Sequence, residues 1–189
     1  MAKLNRNDIK KFKDWGMILT PSVKSDDENE DKKPWKKKGY IRSADWTDDD
    51  LLKADRISLF HQPQKLNTPV NGKNYLTIDF DDPEFVASSF SFLFPVSFTI
   101  GKKDSTGLIK TTHIEYEVNS KDVPDKLPSY LKVIEALGTT SSVIAGVDRY
   151  TIIDMKPVLL SSNQVKYVLR LVRVVNFLTK EKKLYDKQG

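Results

Sequence analysis

Apolar and polar positions change period along this chain, and each change predicts an element. Ile9 to Trp15 has the spacing of a short helix that Gly16 stops, and Met17-Ile18-Leu19-Thr20-Pro21 follows as a first strand. Thr47 is placed to cap a helix carried by Asp48, Asp49 and Asp50, three acids suited to the positive end of a helix dipole. Arg56 to Phe60 predicts a second strand, and Gln62 to Lys73, with Pro63, Pro69 and Gly72, a connecting turn region. Tyr75 to Phe80 is a third strand. Pro83 fits the first turn of a helix reaching about Phe94, and Pro95 ends it. Ser97 to Ile100 and Ile109 to Val118 form a hairpin whose loop is Gly101 to Gly107. Short strands are predicted at Lys132–Leu137, Ser142–Gly146 and Tyr150–Asp154, with a helical alternative for the first because Pro128-Ser129-Tyr130-Leu131 is an acceptable helix start. Val165, Val168, Leu169, Val172 and Val175 recur at three- and four-residue intervals, so a last helix, about residues 161–180, opens near Ser161 or Ser162 with one face towards a core. The expected class is α+β, with a largely antiparallel sheet in the second half.

Composition narrows the setting. With 189 residues, 39% apolar and 30% charged, the chain has the make-up of one globular domain over 1–189. No run approaches the roughly 18–20 apolar residues that cross a bilayer, and the opening Met1-Ala2-Lys3-Leu4-Asn5-Arg6 lacks a signal-peptide stretch. The expectation is a cytoplasmic protein without a membrane partner. Zero cysteines exclude disulfides, Cys-ligated zinc, iron–sulfur clusters and thiol catalysis. A net charge of +5, from 31 basic and 26 acidic residues, is mild. Clustering says more: Asp26 to Asp31 is acidic, and Lys32 to Tyr40 at once basic. A flexible charged loop over about 24–39 is one reading. Phosphate contacts from Lys36, Lys37 and Lys38, with Trp35 and Tyr40 stacking on bases, are the other.

The chemistry-bearing positions are few. Asp79 and Asp81 end the third strand at i and i+2, so their carboxylates share a face where the chain leaves the sheet. Such a pair is a cradle for Mg2+ or Mn2+, hard cations that share oxygen ligands with phosphates. Of the two histidines, His61 and His113, the latter alternates with Thr111 on one strand face, with Glu115 and Glu117 further along. A hydroxyl beside an imidazole suits a phosphate oxygen or an ordered water. Lys102, Lys103 and Lys110 are near enough in sequence to add positive charge, unless they simply face solvent. Glu135 is embedded in Val133-Ile134-Glu135-Ala136-Leu137; buried, it needs a partner or a metal, and on a helix it would point to solvent. The Gly-x-x-x-x-Gly-Lys-Ser/Thr loop, the Gly-x-Ser-x-Gly elbow, a His-hydrophobic-His metal pair and zinc-hydrolase spacing are all missing.

Taken in order, the segments resemble the archaeo-eukaryotic primase superfamily, particularly the primase-polymerase branch of plasmids, viruses and mobile elements. Trp15-Gly16-Met17-Ile18-Leu19-Thr20-Pro21 and Lys33-Pro34-Trp35 are similar to the start of such domains. Asp79-Phe80-Asp81 resembles the first motif, Pro95 to Thr99 with Thr111-Thr112-His113 the second, and Ile134-Glu135 the third; Val143 to Gly146 and Tyr150 resemble the continuation. The resemblance spans roughly residues 12 to 155. It implies an α/β N-terminal unit packed on an RRM-like, mostly antiparallel sheet, and template-directed nucleotidyl transfer as a DNA primase or polymerase. Asp79, Asp81 and Glu135 would hold Mg2+ or Mn2+, and His113, with Thr111, would meet nucleotide phosphates. Lys102, Lys103, Lys110 and Arg149 would add triphosphate or template contacts. Implied partners are single-stranded DNA template, nucleoside triphosphates and a separate helicase or helical accessory subunit. Thr111 stands where Ser is commoner, zero cysteines exclude the zinc element of many relatives, and little chain follows the last helix, so extension is a firmer expectation than de novo priming. The alternatives are a non-catalytic nucleic-acid-binding protein that keeps the fold, and an unrelated α+β interaction domain.

Overall fold

A computed structural model describes residues 5–23, 46–65, 71–81, 90–103, 106, 109–130, 133–139 and 141–185. Helix α1 (Arg6–Asp14) starts three residues before the expected Ile9, because Asn5 caps it. The Asn5 side chain accepts from the Asn7 and Asp8 amides at 2.8 and 3.1 Å, and the Asp8 carboxylate accepts from the Asn5 N–H at 3.3 Å. Gly16, at φ +84, ends the helix as expected. Its N–H donates to Lys13 O at 2.8 Å, and the Met17 N–H donates to Phe12 O at 3.1 Å. Those two bonds keep Met17 in the helix exit, so β1 (Leu19–Ser22) begins two residues later than its pattern predicts. Helix α2 (Asp48–Lys53) has the expected Thr47 cap, with the Asp50 N–H donating to Thr47 Oγ1 at 3.1 Å. It is followed by β2 (Arg56–Phe60).

The remaining strands are β3 (Asn74–Phe80), β4 (Phe98–Lys103), β5 (Ile109–Val118), β6 (Ser129–Tyr130), β7 (Ile134–Leu137), β8 (Ser141–Gly146) and β9 (Arg149–Ile153), and α3 (Ser162–Tyr185) closes the chain. They form two antiparallel sheets, a three-stranded one in the order β1-β2-β8 and a six-stranded one in the order β6-β7-β3-β5-β4-β9. The class is α+β. Lys132–Leu137 resolves as strand, not helix, from Ile134 onwards. β8, between β7 and β9 in the chain, pairs with β2 of the small sheet, and its central residues, Ser142 to Ala145, are buried. The expected loop Gly101–Gly107 is shorter, because β4 carries Gly101 and Lys102 as paired strand residues. A Cβ on Gly101 would lie 2.5 Å from the Tyr150 ring, so only glycine lets that ring cross the strand. Most of the expected Pro83–Phe94 helix lies outside the described residues; Ser91–Leu93 is a single 3-10 turn.

The large sheet separates two cores by simple alternation. Leu76, Ile78, Phe80, Ile114, Tyr116, Ile134 and Ala136 face α3, whose Val165, Val168, Leu169, Val172 and Val175 are all buried against them. The Asn176 amide donates to Ile134 O at 2.9 Å, fixing α3 over β7. On the opposite face, Tyr75, Phe98 and Ile100 pack with Ile9 and Phe12 of α1, Leu51 of α2, and Leu19, Ile57 and Leu59 of the small sheet. No described helix is long and apolar enough to cross a membrane.

Candidate functional site

The face of the large sheet that meets the small sheet is not apolar throughout. Residues directly opposed on antiparallel neighbours share a face with Cβ atoms about 4.5–5.5 Å apart. Asp79 of β3 is opposed to His113 of β5 on one side and to Glu135 of β7 on the other. One row across three adjacent strands therefore reads Glu135, Asp79, His113. His113 Nε2 approaches Asp79 Oδ1 to 3.1 Å, and both side chains are largely buried. Their alignment is not that of a hydrogen bond: Asp79 Oδ1 and His113 Nδ1 are buried polar atoms with no hydrogen-bond partner. Such atoms carry an uncompensated desolvation cost that a bound group can relieve.

Two residues further along each strand lies a second row on the same face. Thr111 is opposed to Lys102, and Lys102 to Arg149. Asp81 follows β3 at this level, with its N–H donating to Val133 O at 3.0 Å and its side chain exposed. Arg149 is held in place: its Nη1 donates to Asp148 Oδ2 at 3.1 Å, and Asp148 also receives Arg56 Nε at 3.0 Å and Nη2 at 2.6 Å. Burial alone would raise the Asp148 carboxyl, but the Arg56 hydrogen bonds and the charges of Arg149, Arg56 and Lys102 outweigh it and hold the group below the usual carboxylate range. Lys102 and Arg149 of this row, with Arg56 of β2, surround one aspartate and keep a positive excess next to the acidic row.

On the other side of Asp79, deeper in the molecule, a third polar level is closed from water. Thr77 is opposed to Glu115, and its Oγ1 donates to Glu115 Oε2 at 2.6 Å. Ser142 of β8 donates to Glu115 Oε1 at 3.2 Å. His61, just past β2, places Nε2 at 2.8 Å from Thr77 Oγ1 and 3.2 Å from Ser142 Oγ; a neutral ring with its proton on Nε2 satisfies this arrangement. Burial, then the charge of His113, pushes His61 down to about 3. Burial pushes Glu115 up to about 7, against the opposing effects of His113 and the Thr77 and Ser142 hydrogen bonds.

The structure thus brings Asp79, His113, Glu135, Thr111, Lys102 and Arg149 onto one face. Lys103 goes elsewhere, its ammonium 4.8 Å from the Tyr150 ring centre. The side chain of Lys110 lies outside the described residues, as do Trp35, Lys36, Lys37 and Lys38. His61, Thr77, Ser142, Arg56 and Asp148 did not stand out in the sequence as site residues. Only Glu115 had a signal, its two-residue offset from His113. As oxygen donors Asp79, Asp81 and Glu135 suit a hard cation in kind, and Asp79 Oδ1 is a buried acceptor without a hydrogen-bond partner. In their present rotamers, no three His, Asp or Glu side chains among the described residues are grouped closely enough to hold a metal ion. No family model, no curated protein and no solved structure matches the chain.

Proposed function

We propose that this chain is a metal-dependent, template-directed nucleotidyltransferase core of the primase-polymerase kind, acting in DNA replication of a plasmid, virus or mobile element. The observation that carries the reading is the in-register row Glu135–Asp79–His113 with Thr111, Lys102 and Arg149 in the next row. Asp79, Asp81 and Glu135 would hold Mg2+ or Mn2+, which when bound neutralises a triphosphate and lowers the pKa of a primer 3′-hydroxyl. The chain's own residues do the rest. His113, against Asp79, presents its ring to the phosphates; Thr111 offers a hydroxyl, and Lys102 and Arg149 supply positive charge from a row already ordered by Asp148. Glu115 and His61 keep the level behind the site dry and fixed.

Purified protein, a primed single-stranded template, labelled nucleotides and Mn2+ or Mg2+ test this. Incorporation is expected, falling about 100-fold or more in Asp79→Ala and in His113→Ala, the scale for removing a group that stabilises transition-state charge. Undiminished incorporation in the Asp79→Ala, Asp81→Ala double variant would overturn the reading. A second reading, a nucleic-acid-binding replication or regulatory protein without catalysis, is favoured by one observation: no three ligands among the described residues are grouped for a metal. Retained binding of template with no metal-dependent incorporation selects it.

A further inference from the structure

Helix α3 is apolar on two sides, and among the described residues only one of them is fully buried. Its buried stripe, Val165 to Val175, packs on the large sheet. Tyr167, Val174 and Leu178 are exposed and Leu171 between them is half-buried at the edge of the core; spaced i, i+4, i+7 and i+11, the four make a second stripe with the seam spacing of a helix that pairs with another helix. Val174 is 51% exposed and Phe177 beside it 61%. The stripe continues off the helix, because Tyr167 Oη donates to Leu93 O at 3.3 Å and brings α3 against the Ser91–Leu93 turn, where Phe92 is 76% exposed. Contiguous apolar patches of this kind mark interaction sites on soluble proteins.

Charge identifies the occupant. Lys166, Arg170 and Arg173 are exposed along one flank of the stripe, and the sequence has no acidic residue from Met155 to Lys180. A second copy has no acid over these residues to answer the basic flank, and an antiparallel pairing would set that flank against itself, so the charge pattern disfavours a homodimer. A single strand of nucleic acid would need closely spaced stacking platforms, whereas the stripe is mainly aliphatic, with Tyr167 and Phe177 ten residues apart. We infer that the exposed face of α3, with Phe92, is the docking surface for an amphipathic helix of a partner protein that carries acidic residues beside its apolar seam. The surface is on the opposite side of the large sheet from the Asp79 row, and the inference holds whether or not that row is catalytic.

The probe is a synthetic helical peptide about three heptads long, with leucine at its seam and glutamate beside it, and a twin with lysine in place of glutamate. Titrated calorimetrically into the full chain, the glutamate peptide is expected to bind and the lysine twin not to. Val174→Glu with Leu178→Glu should weaken binding at least about 10-fold, as loss of interface anchors does. Both positions are exposed, so an unchanged melting temperature shows that the fold is kept. Arg170→Glu with Arg173→Glu should reverse the preference and admit the lysine twin. The inference is overturned if neither peptide binds at about 1 mM or if both bind equally. It is also overturned if the Val174, Leu178 variant acts only by abolishing a concentration-dependent dimer, or binding to oligo-dT or to phosphatidylserine vesicles.

Discussion

The Glu115 carboxyl is fully buried, and each of its oxygens meets a hydroxyl, from Thr77 and from Ser142. Its folded-state value of about 7 lies above the ordinary 4.5, so the folded protein keeps a proton that the unfolded chain releases between those values. Stability from this group is complete below about pH 4.5 and is lost as pH rises through about 7. His61 has the opposite sign: lowered from 6.5 to about 3, its contribution is present above 6.5 and lost as pH falls towards 3. Glu115→Gln isolates the first effect, because glutamine imitates the protonated acid. In chelator, the variant and the parent should unfold at similar denaturant concentrations near pH 4.5. Above pH 7 the variant should be more stable by up to about 3 kcal/mol, since each tenfold change in proton affinity between the folded and unfolded chain is worth about 1.4 kcal/mol. A difference that does not vary with pH would dismiss this account of Glu115. Asp148 makes the complementary case, with a depressed carboxyl whose stabilising effect is present above its ordinary 3.8 and is lost as pH falls. Asp148→Ala leaves Arg56 buried without its bidentate partner and should cost about 3–5 kcal/mol in urea melts. Arg56→Met with Asp148→Leu should recover only part of that loss, because Arg149, whose side chain is also buried and paired to Asp148, keeps its charge.

At the scale of elements, alternation and helical spacing in the sequence were enough for β2 and β5, whose bounds match their patterns, and for α3, whose five apolar positions are all buried. They were enough to set Asp79 and Asp81 at the end of β3, but not to say which strands stand on either side of it. That pairing depends on β7 arriving beside β3, a contact more than fifty residues away in sequence. Local chemistry that needs a distant partner was equally hidden. Gly101 carries the signature of a loop, and only Tyr150, arriving from β9, shows why a strand needs glycine there. β8 has the pattern of any buried strand, and nothing in its residues says which of two sheets it joins. Gly101→Val should therefore lower stability by about 1–3 kcal/mol through overpacking against the Tyr150 ring. Combined with Tyr150→Ala, most of that penalty should vanish, leaving a coupling of 1 kcal/mol or more, roughly, in a double-mutant cycle. Additive losses would mean that the ring does not fill the space above Gly101. At the helix ends, Thr47→Ala removes the α2 cap and should cost about 0.5–2 kcal/mol in the same assay.

For the whole molecule, the decisive fact is that one sheet serves two cores. Tyr75 and Leu76 are neighbours in sequence, yet Tyr75 packs with α1 and the small sheet while Leu76 packs with α3. Neither core can be lost alone without exposing one face of β3, the strand that contributes to both. The polar level between them adds a second tie, since Thr77 and Glu115 of the large sheet are hydrogen-bonded to Ser142 and His61 of the other side. Unfolding should then be a single transition despite a length at which intermediates become common. Leu59→Ala in one core and Leu169→Ala in the other should each cost about 2–5 kcal/mol. At about 2–4 °C per kcal/mol for a chain of this size, each lowers the same melting temperature by roughly 4–20 °C. Calorimetry checks the prediction, because the calorimetric and van't Hoff enthalpies should agree for both variants. An early, separate transition in Leu169→Ala alone would mean that α3 leaves the sheet while the acidic row stays folded. The two sides of the sheet would then be independent units, and docking on α3 could not be felt at Asp79. A single shared transition has the opposite consequence: whatever binds the exposed face of α3 raises the unfolding free energy of the whole molecule, the row Glu135–Asp79–His113 included, by RT ln(1 + L/Kd), with L its free concentration.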